Sequence, residues 1–205
     1  MSLQELIIAL KAILADTANK LTGHGESDFQ RLLEAAALDF SRVRPRIVQA
    51  SLTLIADQAL YPAPVDLRCF ASSSWGLAAR RNCKPWEAGY PQTLPHVRVV
   101  ESGGGRQLAL DPPPNNAQIL QLGGDYDYYY NAVHSIGATA AQTTIDPKDK
   151  SLLLLRATAE AMSNLAIRNH GKPVKLRDGL NMGPRNGTPA ALYDQLMEQF
   201  EKQAA

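Results

Sequence analysis

The segment from Asp146 to Gly171, "DPKDKSLLLLRATAEAMSNLAIRNHG", constrains the chain more than any other. Asp146 suits an N-cap, Pro147 the first helical position and Asp149 the first turn, where unpaired N–H groups and the positive dipole end meet. Leu152, Leu155, Ala159, Met162 and Ala166 then recur at helical spacing, and the run Leu152–Leu155 demands burial on several sides. Asn169, His170 and Gly171 supply residues for a left-handed cap. A helix this apolar near its start has to sit in the middle of something, so partner helices are required.

The partners can be read at both ends of the chain. Leu3, Leu6, Ile7, Leu10, Ile13 and Leu14 share one face, and Ser2 with Glu5 fits a capping box, predicting a helix over 3–16. Ser27 with Gln30 is expected to cap a second helix carrying the stripe Phe29, Leu32, Leu33, Ala36, Phe40 and Val43, stopped by Pro45. Thr188 and Pro189 cap a last helix with Leu192, Tyr193, Leu196 and Phe200 on one side.

Between these helices the text changes. From Arg46 the pattern alternates, with Val48, Ala50, Leu52 and Leu54 against Gln49, Ser51 and Thr53, which predicts a half-buried strand ending near Asp57. Pro64 is read as the start of a short helix to about Phe70. "PHVRVVE" and "RQLALD" flank "SGGG" as a hairpin, and "AQILQL" and "YDYYYNAVHSI" read as two further strands. The expected class is α+β: a helical bundle from residues 1–70 and 146–205, with a β-rich insertion over 71–145.

Composition excludes several functions. Lys plus Arg number 21 against 20 Asp plus Glu, a net charge of +1, so there is no global footprint of a nucleic-acid or membrane-surface binder. No segment supplies about 20 consecutive apolar residues, and the start lacks the basic n-region of a signal peptide. Cys69 and Cys83 are too far apart for a CxxC motif and are read as reduced thiols. His24, His96, His134 and His170 lie in four separate segments without metal-ligand spacing. "ESGGGRQLAL" lacks the Lys and Ser or Thr of a phosphate-binding loop, and neither "ASSSWG" nor "RNCKPW" presents an activated nucleophile. Asp125 and Asp127 could pair as carboxylates, or keep an exposed strand edge soluble. No catalytic residue, cofactor or metal is expected.

Two basic clusters remain, Arg42, Arg44 and Arg46 in "RVRPR" and a loop from Arg168 that holds Lys172, Lys175, Arg177 and Arg185. Either could meet nucleic-acid phosphates or the acidic residues of a protein partner. Four of the seven tyrosines crowd into "DYDYYY": on a strand Tyr126, Tyr128 and Tyr130 share a face and Tyr129 takes the other. Such rings suit a subunit contact, the insertion's own core, or a ligand platform.

Taken in order, "LTLIADQALYPAPVDL", "LPHVRVV", "LALDPPP", "YDYYYNAVHSI", "TTIDPKDKSLLLLRATAEAMSNLAIRN", "KPVKLRDG" and "NGTPAALYDQLMEQFEK" resemble the head-to-tail connector, or adaptor, proteins of tailed bacteriophages over roughly residues 27 to 202. That resemblance implies a non-enzymatic virion protein at the neck, forming a ring, commonly of twelve copies, beneath the portal protein. The ring would extend the DNA channel, with DNA as passing cargo, and offer a platform to the next neck or tail protein. It also implies that the C-terminal end meets the portal, with Phe200 as apolar anchor beside Leu196 and Lys202, or else packed on the subunit's own core; Tyr126, Tyr128 and Tyr130 are read as interface residues from their ring chemistry. The region between Phe70 and Ile145 is larger than in compact all-helical members. A tail-completion or tail-terminator protein is the alternative within the same setting. A small hydrolase using Cys83, or a nucleic-acid-binding module using the basic loops, is the alternative outside it.

Overall fold

The computed structural model describes residues 1–15, 26–87, 89–169 and 188–204. Its elements in chain order are α1 (Leu3–Leu14), α2 (Glu26–Val43), β1 (Arg46–Thr53), β2 (Leu60–Pro62), β3 (Leu67–Ser73) and α3 (Leu77–Asn82). They continue with β4 (His96–Ser102), β5 (Gly105–Asp111), α4 (Asn116–Leu122), β6 (Asp125–Ala132), α5 (Lys150–Asn169) and α6 (Pro189–Ala204). The class is α+β, and the chain divides into two units, Met1–Pro45 with His134–Ala205, and Arg46–Val133.

The first unit packs α1, α2, α5 and α6. Ser2 and Glu5 form the expected capping box at α1, each side chain satisfying the other residue's backbone N–H. Helix α2 begins at Glu26, so Ser27 lies inside its first turn instead of before it. Asp146 caps a short 3-10 turn, Pro147–Asp149, its carboxylate accepting from the Lys148 N–H, and α5 follows from Lys150. Thr188 Oγ1 accepts from the Ala191 N–H to start α6. Phe29, Leu33, Phe40, Leu153 and Phe200 are fully buried in the common core. The Leu152–Leu154 run is buried throughout, as its unbroken apolarity requires.

The second unit holds two three-stranded antiparallel sheets, ordered β1-β6-β3 and β2-β5-β4. The β4–β5 hairpin turns at Gly103 and Gly104 as the "SGGG" run predicts. The 64–70 helix is not formed: Leu67–Ser73 is β3, whose ladder to β6 is interrupted by irregularities between Leu67 and Cys69 and between Phe70 and Ser72. "AQILQL" is helix α4 instead of a strand, because Asn115 and Gln118 make a capping box and Gln118 Nε2 donates to the Thr93 carbonyl. The strand expected over residues 126–136 is β6, which ends at Ala132 and leaves residues 133–136 outside it; β6 is central in its sheet, so Asp125 and Asp127 do not guard an edge.

The division between units falls at Arg46 and Val133, not at residues 71 and 145. Strand β1 pairs along its whole length with β6, from Arg46 opposite Ala132 to Thr53 opposite Asp125, and so belongs with the insertion. Residues 134–145, assigned to the insertion by their composition, run with the helices: the Leu3 N–H donates to the Gly137 carbonyl, and Ile145 is buried in the helical core.

Candidate functional site

Alternation along β6 turns Tyr126, Tyr128 and Tyr130 to one side, where they are only 2–4% exposed. Their rings form a row, with successive centroids 6.2 and 6.0 Å apart, Trp75 at 5.7 Å from Tyr126 and Phe70 stacked on Tyr128 at 6.1 Å. The Tyr130 hydroxyl donates to Asp66 Oδ1 at 2.9 Å, and Arg46 binds the other oxygen of the same carboxylate at 2.6 Å. Burial, then the bond to the charged Asp66, pushes the Tyr130 phenol up to about 12; burial also raises Tyr126 and Tyr128. These three rings belong to the core of the second unit, one of the roles the sequence leaves open for them. Tyr129, on the opposite face, is the exposed ring.

The first basic cluster is spent inside the chain. Arg42 binds Asp39 at 2.9 Å and Glu201 at 2.7 Å. Arg44 binds Asp149 at 3.4 Å and donates to the Gln203 carbonyl at 3.2 Å, while Arg46 is held by Asp66. Each guanidinium therefore has an acidic partner within the chain. Lys172, Lys175, Arg177 and Arg185 lie outside the described residues.

A charged knot that the sequence did not announce lies between α2 and α5. Arg156 is nearly buried and reaches Asp39 at 2.7 Å and Glu160 at 3.0 Å. Burial pushes the Asp39 carboxyl up, but the hydrogen bonds from Arg156 and Arg42 outweigh it and hold the group below its ordinary range. Burial likewise draws Arg156 down, and Asp39 and Glu160 more than restore its charge. The only hint in the sequence is one arginine following four leucines.

Phe200 is fully buried in the helical core, the second of the two places the sequence allows it. Leu196 is half-buried and lines an apolar groove of about 280 Å³ with Ile13, Leu154, Leu155 and Thr158. Lys202 is exposed and pairs with Glu198 at 2.6 Å.

His134 and Ser41 are both held by hydrogen bonds within the first unit. His134 faces the Arg44 carbonyl through Nε2 at 2.9 Å, which places the proton there, and Nδ1 meets Thr144 Oγ1 at 3.2 Å. That hydroxyl also accepts from the Ser135 N–H, so the pair fastens the 134–144 segment instead of activating a nucleophile. Ser41, buried in α2, bridges the Ala37 carbonyl and the His134 N–H. A cleft of about 520 Å³ in the second unit has Phe70, Trp75 and Tyr126 in its wall and Arg80 and His96 at its polar side. Among the described residues no group of three or more His, Cys, Asp or Glu could hold a metal ion, and no helix is long and apolar enough to cross a membrane.

No family model and no curated protein matches the chain. Among solved structures, a chain from the neck of a native GTA particle, computed with C12 symmetry, matches at 14% identity over 93% of this chain and 89% of that one, with a TM-score of 0.26. At that score the likeness carries no argument about fold or role.

Proposed function

We propose that the chain is a structural virion protein of a tailed bacteriophage: a ring-forming head-to-tail adaptor that docks under the portal, extends the DNA channel and joins capsid to tail without catalysis, cofactor or metal. The observation that carries the reading is the arrangement of the chain. A bundle of four long helices is built from its two ends, and one uninterrupted β-rich excursion leaves after α2 and returns before α5. That is the order of segments on which the resemblance to adaptor proteins rests.

The surface chemistry supports a scaffold. Ile8, Ile13, Leu38 and Ile167 on the helices of the first unit are each more than half exposed. A subunit held between two neighbours would cover them. The groove beside Leu196 takes the docking role that buried Phe200 cannot fill. With Arg42, Arg44 and Arg46 neutralised, DNA is cargo passing a wall without binding it tightly.

Electron microscopy of the purified protein with the portal ring from the same genome tests the proposal. Added density capping the portal with matching rotational symmetry is the expected result. No complex at micromolar concentration would overturn it in favour of a tail-side completion protein, and a nanomolar, salt-sensitive complex with free duplex DNA would overturn it in favour of a nucleic-acid-binding module.

A further inference from the structure

Strand edges have to be paired, covered or blunted, because their free N–H and C=O groups template the addition of another strand. Three of the four edges in the second unit are blunted. β3 is irregular at two places along its ladder, β2 has three residues and ends at Pro62, and β4 carries His96, Arg98 and Glu101. β1 is the exception. It runs for eight residues in unbroken register with β6, contains no proline or lysine, and has one charge, Arg46, already neutralised by Asp66.

The direction of its free groups follows from the ladder. The Leu54 N–H donates to the Gly124 carbonyl at 2.7 Å, one step beyond Thr53 opposite Asp125, so Leu54 and the even-numbered residues before it are the hydrogen-bonded partners of β6. Ile47, Gln49, Ser51 and Thr53 therefore turn their N–H and C=O groups away from β6, along the open edge. Burial shows the same incompleteness. Val48, Ala50 and Leu52 lie beside Tyr130, Tyr128 and Tyr126 on the core-facing side, yet they are only half-buried where those rings are almost wholly so. The core-facing row is one strand short.

We infer that this edge is completed by β1 of a second copy of the chain, added antiparallel about a two-fold axis at Ala50. The strand is complementary to itself in that register. Ile47 meets Thr53 of the second copy and Gln49 meets Ser51, each outward-turned residue finding another. Val48 then lies opposite Leu52 and Ala50 opposite Ala50 on the core-facing side, with no like charges opposed. A register displaced by one residue would put Val48 opposite Ser51, joining the core-facing side of one strand to the polar side of the other. The product is a continuous six-stranded sheet, β3-β6-β1 joined to its two-fold copy. Such a contact uses the same patch on both chains and closes with two, so it does not propagate round a ring. It describes the free protein, and it stands whether or not the adaptor reading holds.

Sedimentation velocity of the full chain at micromolar concentration is expected to show a dimer. Gln49→Lys with Ser51→Lys, both on the exposed face, would oppose like charges across the axis and raise the dimer dissociation constant tenfold or more with the circular dichroism unchanged. In a Cys69→Ser, Cys83→Ser background, Ala50→Cys is expected to oxidise to a covalent dimer while Val48→Cys does not, since only position 50 meets itself. A monomer at every concentration, a dimer indifferent to the two lysines, or equal cross-linking at positions 48 and 50 would each overturn the inference.

Discussion

Replacing Arg156 by methionine keeps an apolar stem of similar length and removes only the charged fork. Two charge-assisted bonds are lost, at 2.7 Å to Asp39 and 3.0 Å to Glu160, and Asp39 is left with Arg42 as its single cation. Breaking a fully buried ion pair from one side costs about 3–5 kcal/mol, mostly from stranding the partner's charge. Here the carboxylate side chains of Asp39 and Glu160 keep 21% and 28% exposure, so water repays part of that, and Arg156→Met should cost about 2–3 kcal/mol. Asp39→Leu combined with Arg156→Met removes both ends of the shorter bond and should recover to within about 1 kcal/mol of the parent. Urea unfolding followed by far-UV circular dichroism reads the helices. Tryptophan fluorescence reads the other unit, because both tryptophans, Trp75 and Trp86, lie there. Acid supplies the sign. Asp39 has a folded pKa below its unfolded value of about 3.9, so its contribution is present above that pH and is lost as pH falls through the folded value. The gap between parent and Arg156→Met should therefore close below about pH 4. A loss under about 0.5 kcal/mol at neutral pH, or a double variant no better than the single one, would refute the argument that this knot is held by charge.

Phe200→Ala should destabilise the helical unit by about 3–5 kcal/mol, as for a fully buried ring, and lower its melting temperature; unchanged stability would return Phe200 to the role of an exposed anchor. Tyr130→Phe should cost about 1 kcal/mol by removing the bond to Asp66. Since the folded pKa of Tyr130 is raised to about 12 against about 10 unfolded, its contribution should be complete below pH 10 and lost as pH rises to 12, a loss that Tyr130→Phe abolishes in alkaline unfolding curves.

Local signals were legible wherever local chemistry decides the outcome. The Ser2–Glu5 box, the Asp146–Pro147 start, the glycine hairpin and the tyrosine alternation all depend on residues within a few positions of one another, and all are present. β3 escaped because its ladder irregularities break the period of two that marks a strand. α4 escaped because six residues, AQILQL, are too few to separate the two periods, and only its Asn115–Gln118 cap distinguishes it from a strand. The unit boundary is hidden for another reason: β1 alternates as a strand should, but its partner β6 begins some seventy residues further on. The candidate site suffered most. Arg42 finds Glu201 at a separation of 159 residues and Arg44 finds Asp149 at 105, so a cluster that is basic along the chain is neutral in space. No pattern in the sequence carries such pairings.

The chain leaves the helices and rejoins them at a single place. Arg46 and Ala132 are opposite one another in the β1–β6 ladder, and two residues outside them the Arg44 carbonyl accepts from the His134 ring. Partners in such a ladder have Cα atoms about 5 Å apart, a gap that two or three glycines can span. A deletion from Arg46 to Val133 would therefore leave ends already side by side. Loss of the whole module would cost the bundle little more than the closure of a different loop.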